Sequence, residues 1–191
     1  MDKTFCIGEF VFRLRCPDEI QPPANFLQFA ADDGRPVQFT YDIEVADELP
    51  RPETILVRHP DLAVFSTPGG EGRLLNVRGE TEFYACYRET DAAHARISVT
   101  PEKLDSLRID TMFVSLLALE RRMIERGGMV LHCAYVHYNG KAILFSAPSG
   151  TGKSTQAGLW EQYRGADTVN GDRALLACPG GVWTAQGWPV C

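Results

Sequence analysis

The stretch that most constrains this chain runs Ala142-Ile143-Leu144-Phe145-Ser146-Ala147-Pro148-Ser149-Gly150-Thr151-Gly152-Lys153-Ser154-Thr155. An apolar run leads into a turn of small residues, and an amphipathic segment, Gln156 to Tyr163, follows. That order predicts a strand, a phosphate-binding loop and a helix. A triphosphate is wrapped by backbone N–H groups that point inward, and Gly150 and Gly152 permit the torsions and close approach this needs. The new helix aims its N-terminus and partial positive charge at the phosphates. Lys153 is placed to reach the β- and γ-phosphates, the Ser154 hydroxyl to ligate Mg²⁺, and Thr155 to add a hydroxyl near the α-phosphate. A lysine opening a helix is electrostatically misplaced unless an anion lies beside it. The motif departs from its usual form at the first position, where Ala147 stands for glycine.

The rest of the chain is read around that loop. Residues 4–15 alternate as Phe5, Ile7, Phe10, Phe12 and Leu14, which predicts one strand with a bulge at Gly8. Asn25 to Ala31 is expected to form a short helical turn. Pro36 to Val45, Ile55 to Arg58, Leu62 to Phe65, Leu74 to Val77, Glu82 to Tyr87 and Ala95 to Val99 read as strands, with a hairpin loop at 68–72. The first hundred residues are therefore expected to be an antiparallel sheet or small sandwich. His59 and His94 stand alone there, and no catalytic constellation accompanies them. From Pro101 to Gly127 the period changes. Leu104, Ile109, Met112, Phe113, Leu116, Leu117, Met123 and Ile124 recur at threes and fours, which predicts one amphipathic helix capped by Thr100 and stopped at Gly127-Gly128. Met129 to Tyr138 reads as one strand, Asn139-Gly140 as a hairpin turn, and Lys141 to Ser146 as its return. His132 is thereby expected to approach the nucleotide loop. Thr168 to Ala177 reads as a strand kinked at Gly171, followed by a hairpin over Pro179-Gly180-Gly181 to Val182–Gln186.

The net charge of −6 argues against a general nucleic-acid or anionic-membrane role. The six cysteines have no C-x-x-C spacing, so neither structural zinc nor a disulfide scaffold is expected. No apolar run is long enough to cross a bilayer. The start lacks the apolar core of a signal peptide, and a reduced cytoplasm is the expected setting. Only 37 residues follow Ser154, fewer than a nucleotide-binding sheet usually uses, so the chain is expected to be truncated at its C-terminus or completed by a partner.

With Leu131-His132, Ser149-Gly150-Thr151-Gly152-Lys153-Ser154 and Val169-Asn170-Gly171-Asp172-Arg173, the chain resembles the HPr kinase/phosphorylase superfamily, whose phosphate loop lies in a sheet like that of phosphoenolpyruvate carboxykinase. The resemblance covers residues 129–178. It implies an α+β fold: a β-rich region over 1–100, then, over 101–191, a helix and a partial nucleotide-binding core of the carboxykinase-like type. It implies ATP and Mg²⁺ as cofactors and transfer of the γ-phosphate to a hydroxyl, such as a serine of a protein, a peptide or a small molecule. His132, Lys153 and Asp172 are its catalytic residues. Ser149, Gly150, Thr151, Gly152, Lys153, Ser154 and Thr155 hold the nucleotide, and Ser154 and Asp172 hold the metal. A homo-oligomer is also implied. The superfamily carries two adjacent aspartates where this chain has Gly171 and Asp172. One carboxylate serves poorly both as metal ligand and as proton acceptor, because the metal lowers its basicity. Asp172 is thus expected to hold the metal through water while His132 assists the proton.

Each residue has a plainer reading. Asp172 could pair with Arg173 or Lys153, His132 could be a core histidine on a backbone carbonyl, Arg173 a surface ion pair, and Trp160 helix-to-sheet packing. Two rival functions follow from the same residues: a nucleotide-binding regulatory module without catalysis, and carboxykinase chemistry on oxaloacetate.

Overall fold

The alternation of Phe5, Ile7, Phe10, Phe12 and Leu14 breaks at Gly8, whose φ of 59° turns the chain back. The feature expected as a bulge is therefore a hairpin, in which β1 (Asp2–Ile7) pairs antiparallel with β2 (Phe10–Arg15). All five apolar side chains are fully buried. In this computed structural model, which describes residues 1–31 and 34–191, the chain divides into two units, Met1–Leu117 and Ala118–Cys191. The division falls inside the segment expected to be one helix, later than the boundary expected at residue 100.

The first unit is built on one eight-stranded sheet. After α1 (Ala24–Leu27) come β3 (Phe39–Val45), β4 (Val57–Arg58), β5 (Leu62–Thr67), β6 (Gly70–Asn76), β7 (Phe83–Asp91) and β8 (His94–Val99). The strand order is β1-β2-β3-β8-β7-β6-β5-β4. The expected antiparallel sheet is in fact mixed, because β3 runs parallel to both β2 and β8. Phe5, Phe12, Phe26 and Phe113 stack into one aromatic core, with Phe26 and Phe113 centroids 4.7 Å apart. Such edge-on contacts add to the area these rings remove from water.

The single helix expected over 101–127 is broken. Two 3₁₀ turns (Pro101–Lys103 and Asp105–Arg108) lead into α2 (Asp110–Leu116), and α3 (Leu119–Ile124) follows. Ala118 separates α2 from α3 in the left-handed conformation, φ 52°. Leu116, Leu117, Ala118 and Leu119 are all fully buried, and four consecutive residues cannot share one stripe of a straight helix. Ile109 and Ile124, assigned to the apolar stripe, are exposed, and Thr100 makes no side-chain cap. The stop is where the glycines predict it: Gly127 takes φ 71°, and Gly128 N–H donates to the Met123 carbonyl at 2.8 Å.

Two expected strands of the second unit also split. Met129 to Tyr138 becomes β9 (Met129–His132) and β10 (Ala134–Tyr138). Thr168 to Ala177 becomes β12 (Asp167–Asn170) and β13 (Arg173–Ala177). With β11 (Lys141–Phe145) and β14 (Thr184–Gly187) they form two three-stranded sheets, β11-β10-β12 and β14-β13-β9. The breaks lie opposite one another. His132 is across from Arg173, Tyr135 is across from Asn170, and between them Cys133 N–H donates to the Asp172 carbonyl at 2.9 Å. One register thus passes from sheet to sheet. The Asn139-Gly140 turn joins β10 to β11 with φ of 49° and 71°, as this dipeptide predicts. The helix α4 (Lys153–Arg164) covers the first of these sheets through Ala157 and Trp160, which pack on Ala134, Val136 and Ala166.

Burial grades the thiols. Desolvation pushes Cys86 up to about 11 and also raises Cys133, whereas Cys191 is exposed. The thiolate is the reactive form. At pH 8 a colorimetric disulfide reagent is expected to titrate Cys191 at once and to reach Cys86 and Cys133 only as denaturant unfolds the chain. Rapid reaction of all six would contradict this packing.

Candidate functional site

Between β11 and α4 the loop Ser146 to Thr151 is exposed. Gly150 and Gly152 take φ of 79° and 95°, a region closed to most side chains. At Gly150 an added Cβ would meet nothing within 4 Å, so the torsion, and not crowding, selects glycine there. Thr151 Oγ1 donates to the Pro148 carbonyl at 2.6 Å and ties the turn shut. Ser149 stands exposed at its crest.

Gly152 is the N-cap of α4, so Lys153, Ser154 and Thr155 occupy its first turn. Lys153 Nζ donates to the carbonyls of Ala147 and Pro148, at 3.1 and 3.4 Å. Among the described residues no carboxylate pairs with it. Its charge adds to that of the helix N-terminus instead of being cancelled. Ser154 Oγ lies 3.5 Å from the Gly171 carbonyl, which it meets as a donor, and Thr155 is exposed.

The break between β12 and β13 supplies the opposite wall. Asp172 follows Gly171, and its Oδ1 lies 3.2 Å from His132 Nε2. Its Oδ2 accepts from Arg173 Nε at 3.3 Å, and Arg173 reaches Glu120 at the same distance. Of the plainer readings, the Arg173 ion pair is therefore present, and His132 is a half-exposed partner of a carboxylate instead of a core histidine. His132 is positioned differently from expectation. The β10–β11 hairpin does not include it; it sits at the end of β9 opposite Arg173, while Ser146 Oγ donates to its carbonyl at 3.1 Å. His137 lies 3.9 Å from Asp167 on the outer part of β10.

Sequence reasoning missed Asn170. It is buried, at 6% exposure, and makes four hydrogen bonds. Its Oδ1 accepts the N–H groups of Asp172 and Arg173, both at 2.8 Å. Its Nδ2 donates to the carbonyls of Trp188 and Val190, at 3.0 and 2.9 Å. The turn that presents Asp172 is thus fastened to the segment after β14. An asparagine two residues before a polar residue at a strand break is the signature of an Asx-turn, and that was the available signal.

Among the described residues no three His, Cys, Asp or Glu side chains gather as an all-protein metal cage would require. Mg²⁺ is usually held by one or two protein oxygens together with substrate phosphates, and Ser154 and Asp172 fit that lesser demand. Among the described residues no helix is long and apolar enough to cross a membrane.

A family model matches residues 97–191, and it is that of ScmC, described as SynChlorMet cassette protein ScmC. No curated protein and no solved structure matches the chain. The family match overturns the resemblance to the HPr kinase/phosphorylase superfamily. A loop of this type and one histidine at a given spacing are short signals that separate families can share.

Proposed function

We propose that the C-terminal unit binds ATP with Mg²⁺ on the loop before α4, and that the chain is a phosphotransferase delivering the γ-phosphate to a hydroxyl. The observation that carries this reading is the convergence of Lys153 and Ser154, at the start of α4, with the His132–Asp172 pair across the Gly171 carbonyl. Phosphoryl transfer asks a protein mainly for positioning and charge neutralisation. Residues 149–155 would offer backbone N–H groups to the phosphates, and Lys153 a cation that no carboxylate pairs with among the described residues. Ser154 and Asp172 would hold Mg²⁺, which when bound neutralises phosphate charge. With its Nε2 beside the Asp172 carboxylate, His132 would take the acceptor's proton on its other ring nitrogen, Nδ1, while the carboxylate orients the ring. The acceptor is a serine or similar hydroxyl of a protein, peptide or small molecule, and the setting is cytoplasmic.

A second reading, nucleotide binding without turnover, is favoured by one observation: the carboxylate of Asp172 is engaged with Arg173, and Gly171 offers no second acid.

Thermal unfolding of the full chain with ATP, with and without Mg²⁺, tests the site itself. Ligand at 100 times its dissociation constant stabilises the folded state by about 2.7 kcal/mol. A Mg²⁺-dependent rise in Tm that Lys153→Ala abolishes is the expected result. No rise in either protein would sink both readings; a rise with no phosphate released to any hydroxyl compound or peptide would leave the binding module.

A further inference from the structure

A second site lies in the first unit, and it owes nothing to the nucleotide reading. On one face of the eight-stranded sheet, Ala63, Phe65, Leu74 and Cys86 form an apolar cluster sealed by Leu49 and Ile55. One rung along, the character of the same face inverts. Phe65 is opposite Gly72, Gly72 opposite Arg88, and Arg88 opposite Arg96. Directly opposed residues project from the same face, and like charges in that relation repel. Neither arginine side chain forms an ion pair or hydrogen bond among the described residues. Arg88 Nε is enclosed and has no hydrogen-bond partner there. Enclosing a guanidinium N–H without a partner is unfavourable unless something else supplies the acceptor.

A cavity of about 830 Å³ opens over this pair, roofed by Pro50–Thr54 and Leu56, and Arg51 adds a third guanidinium to its lining. That volume is within the range of small-molecule sites. Two carboxylates also line it. Glu89 is buried and already accepts from the Tyr87 hydroxyl at 2.9 Å and the Glu71 N–H at 2.8 Å. Glu53 is exposed on the roof. On the far side of Arg96 its neighbour on β3 is Asp42, which is held by Arg15 at 3.5 Å. The Phe65 ring completes the floor. A Cβ at Gly72 would fall 2.2 Å from that ring, so glycine lets it lie flat across β6 beside Arg88.

We propose that this cavity binds a small organic anion, its carboxylate or phosphate gripped by Arg88 and Arg96 and its apolar body resting on Phe65 beneath the 50–56 segment. Guanidinium groups recognise such oxyanions through paired, charge-assisted hydrogen bonds. The ligand relieves the Arg88–Arg96 repulsion and supplies the acceptors that the two guanidinium groups lack.

Titrating the full chain with phenylacetate and, separately, with phenyl phosphate tests this by calorimetry and ligand-observed NMR, with phenylacetamide as the neutral control. At least one anion is expected to bind with Kd below about 1 mM, and whichever binds tighter identifies the head group. Arg96→Gln, an exposed substitution that leaves the core intact, is expected to weaken it at least about tenfold. Arg88→Gln should do the same, while Lys153→Ala should leave binding unchanged. Equal binding of phenylacetamide, no binding of either anion, or binding lost only with Lys153→Ala would overturn the proposal. The last outcome would place the anion on the loop before α4.

Discussion

Asn170→Ala is expected to destabilise the C-terminal unit by about 2–4 kcal/mol, the sum of leaving several buried polar groups unpaired. The truncation removes an acceptor from the N–H groups of Asp172 and Arg173 and a donor from the carbonyls of Trp188 and Val190. Trp188 is nearly inaccessible at 1% exposure, so its carbonyl lies in a region where solvent is a poor substitute. Asn170→Asp is the sharper comparison. It keeps the acceptor for the two N–H groups but turns an oxygen towards two carbonyl oxygens, and it is expected to be at least as damaging as alanine. All three tryptophans, Trp160, Trp183 and Trp188, belong to this unit. Tryptophan fluorescence in a urea titration therefore reads its unfolding without interference from the first unit. A midpoint within experimental error of the parent chain for both variants would show that Asn170 does not fasten the turn. The effect should also reach the site, since the same turn presents Asp172: nucleotide-dependent stabilisation is expected to fall in Asn170→Ala even below its reduced Tm.

How far the sequence disclosed this arrangement varied with the range of the interactions. Gly150, Gly152 and the Asn139-Gly140 turn were legible because each is a local torsional demand that few other residues satisfy. The stop at Gly127 was legible for the same reason. The splitting of Met129–Tyr138 and Thr168–Ala177 was not. Both stretches keep a strand's composition throughout, and the transfer from one sheet to the next is decided by which edge each half finds, a long-range matter. Gly171 was read as a kink, whereas Asn170 beside it makes the turn. Ala118 illustrates the converse: apolar periodicity runs through it, yet burial on every side of four consecutive residues breaks the helix. The parallel placement of β3 between β2 and β8 needed the fold, and so did the register of the β7–β8 hairpin, whose irregularity between Glu89 and Asp91 accompanies the pairing of Arg88 with Arg96. The family was the costliest misreading, because a short loop motif describes a local chemistry and carries little information about ancestry.

In the phosphotransferase reading, Asp172→Asn is expected to lower turnover on the order of 10²–10³-fold, the scale at which removing one preorganised electrostatic group acts. The amide preserves the shape of the side chain but not its charge. Two consequences follow from the geometry. His132 Nε2, 3.2 Å from Oδ1, loses the carboxylate that orients its ring, and Mg²⁺ would lose an anionic oxygen. The substitution should therefore raise the Mg²⁺ concentration needed for half-maximal rate as well as lower the rate itself. ATP binding measured without Mg²⁺ should be nearly unchanged, since Lys153 and the loop are untouched. His132→Ala should lower turnover while leaving the Mg²⁺ requirement alone, which separates a proton-accepting role from a metal-holding one. Because the two side chains touch, their effects should not add: the double variant is expected to be little worse than Asp172→Asn, with a coupling of about 0.5–3 kcal/mol by a double-mutant cycle. Strict additivity would mean that His132 and Asp172 act separately, and full turnover with an unaltered Mg²⁺ dependence in Asp172→Asn would remove Asp172 from the site. Arg173 holds the other carboxylate oxygen, so Arg173→Ala is the positional control. It should loosen Asp172 and weaken the rate less than Asp172→Asn, because the charge that the chemistry uses remains in place.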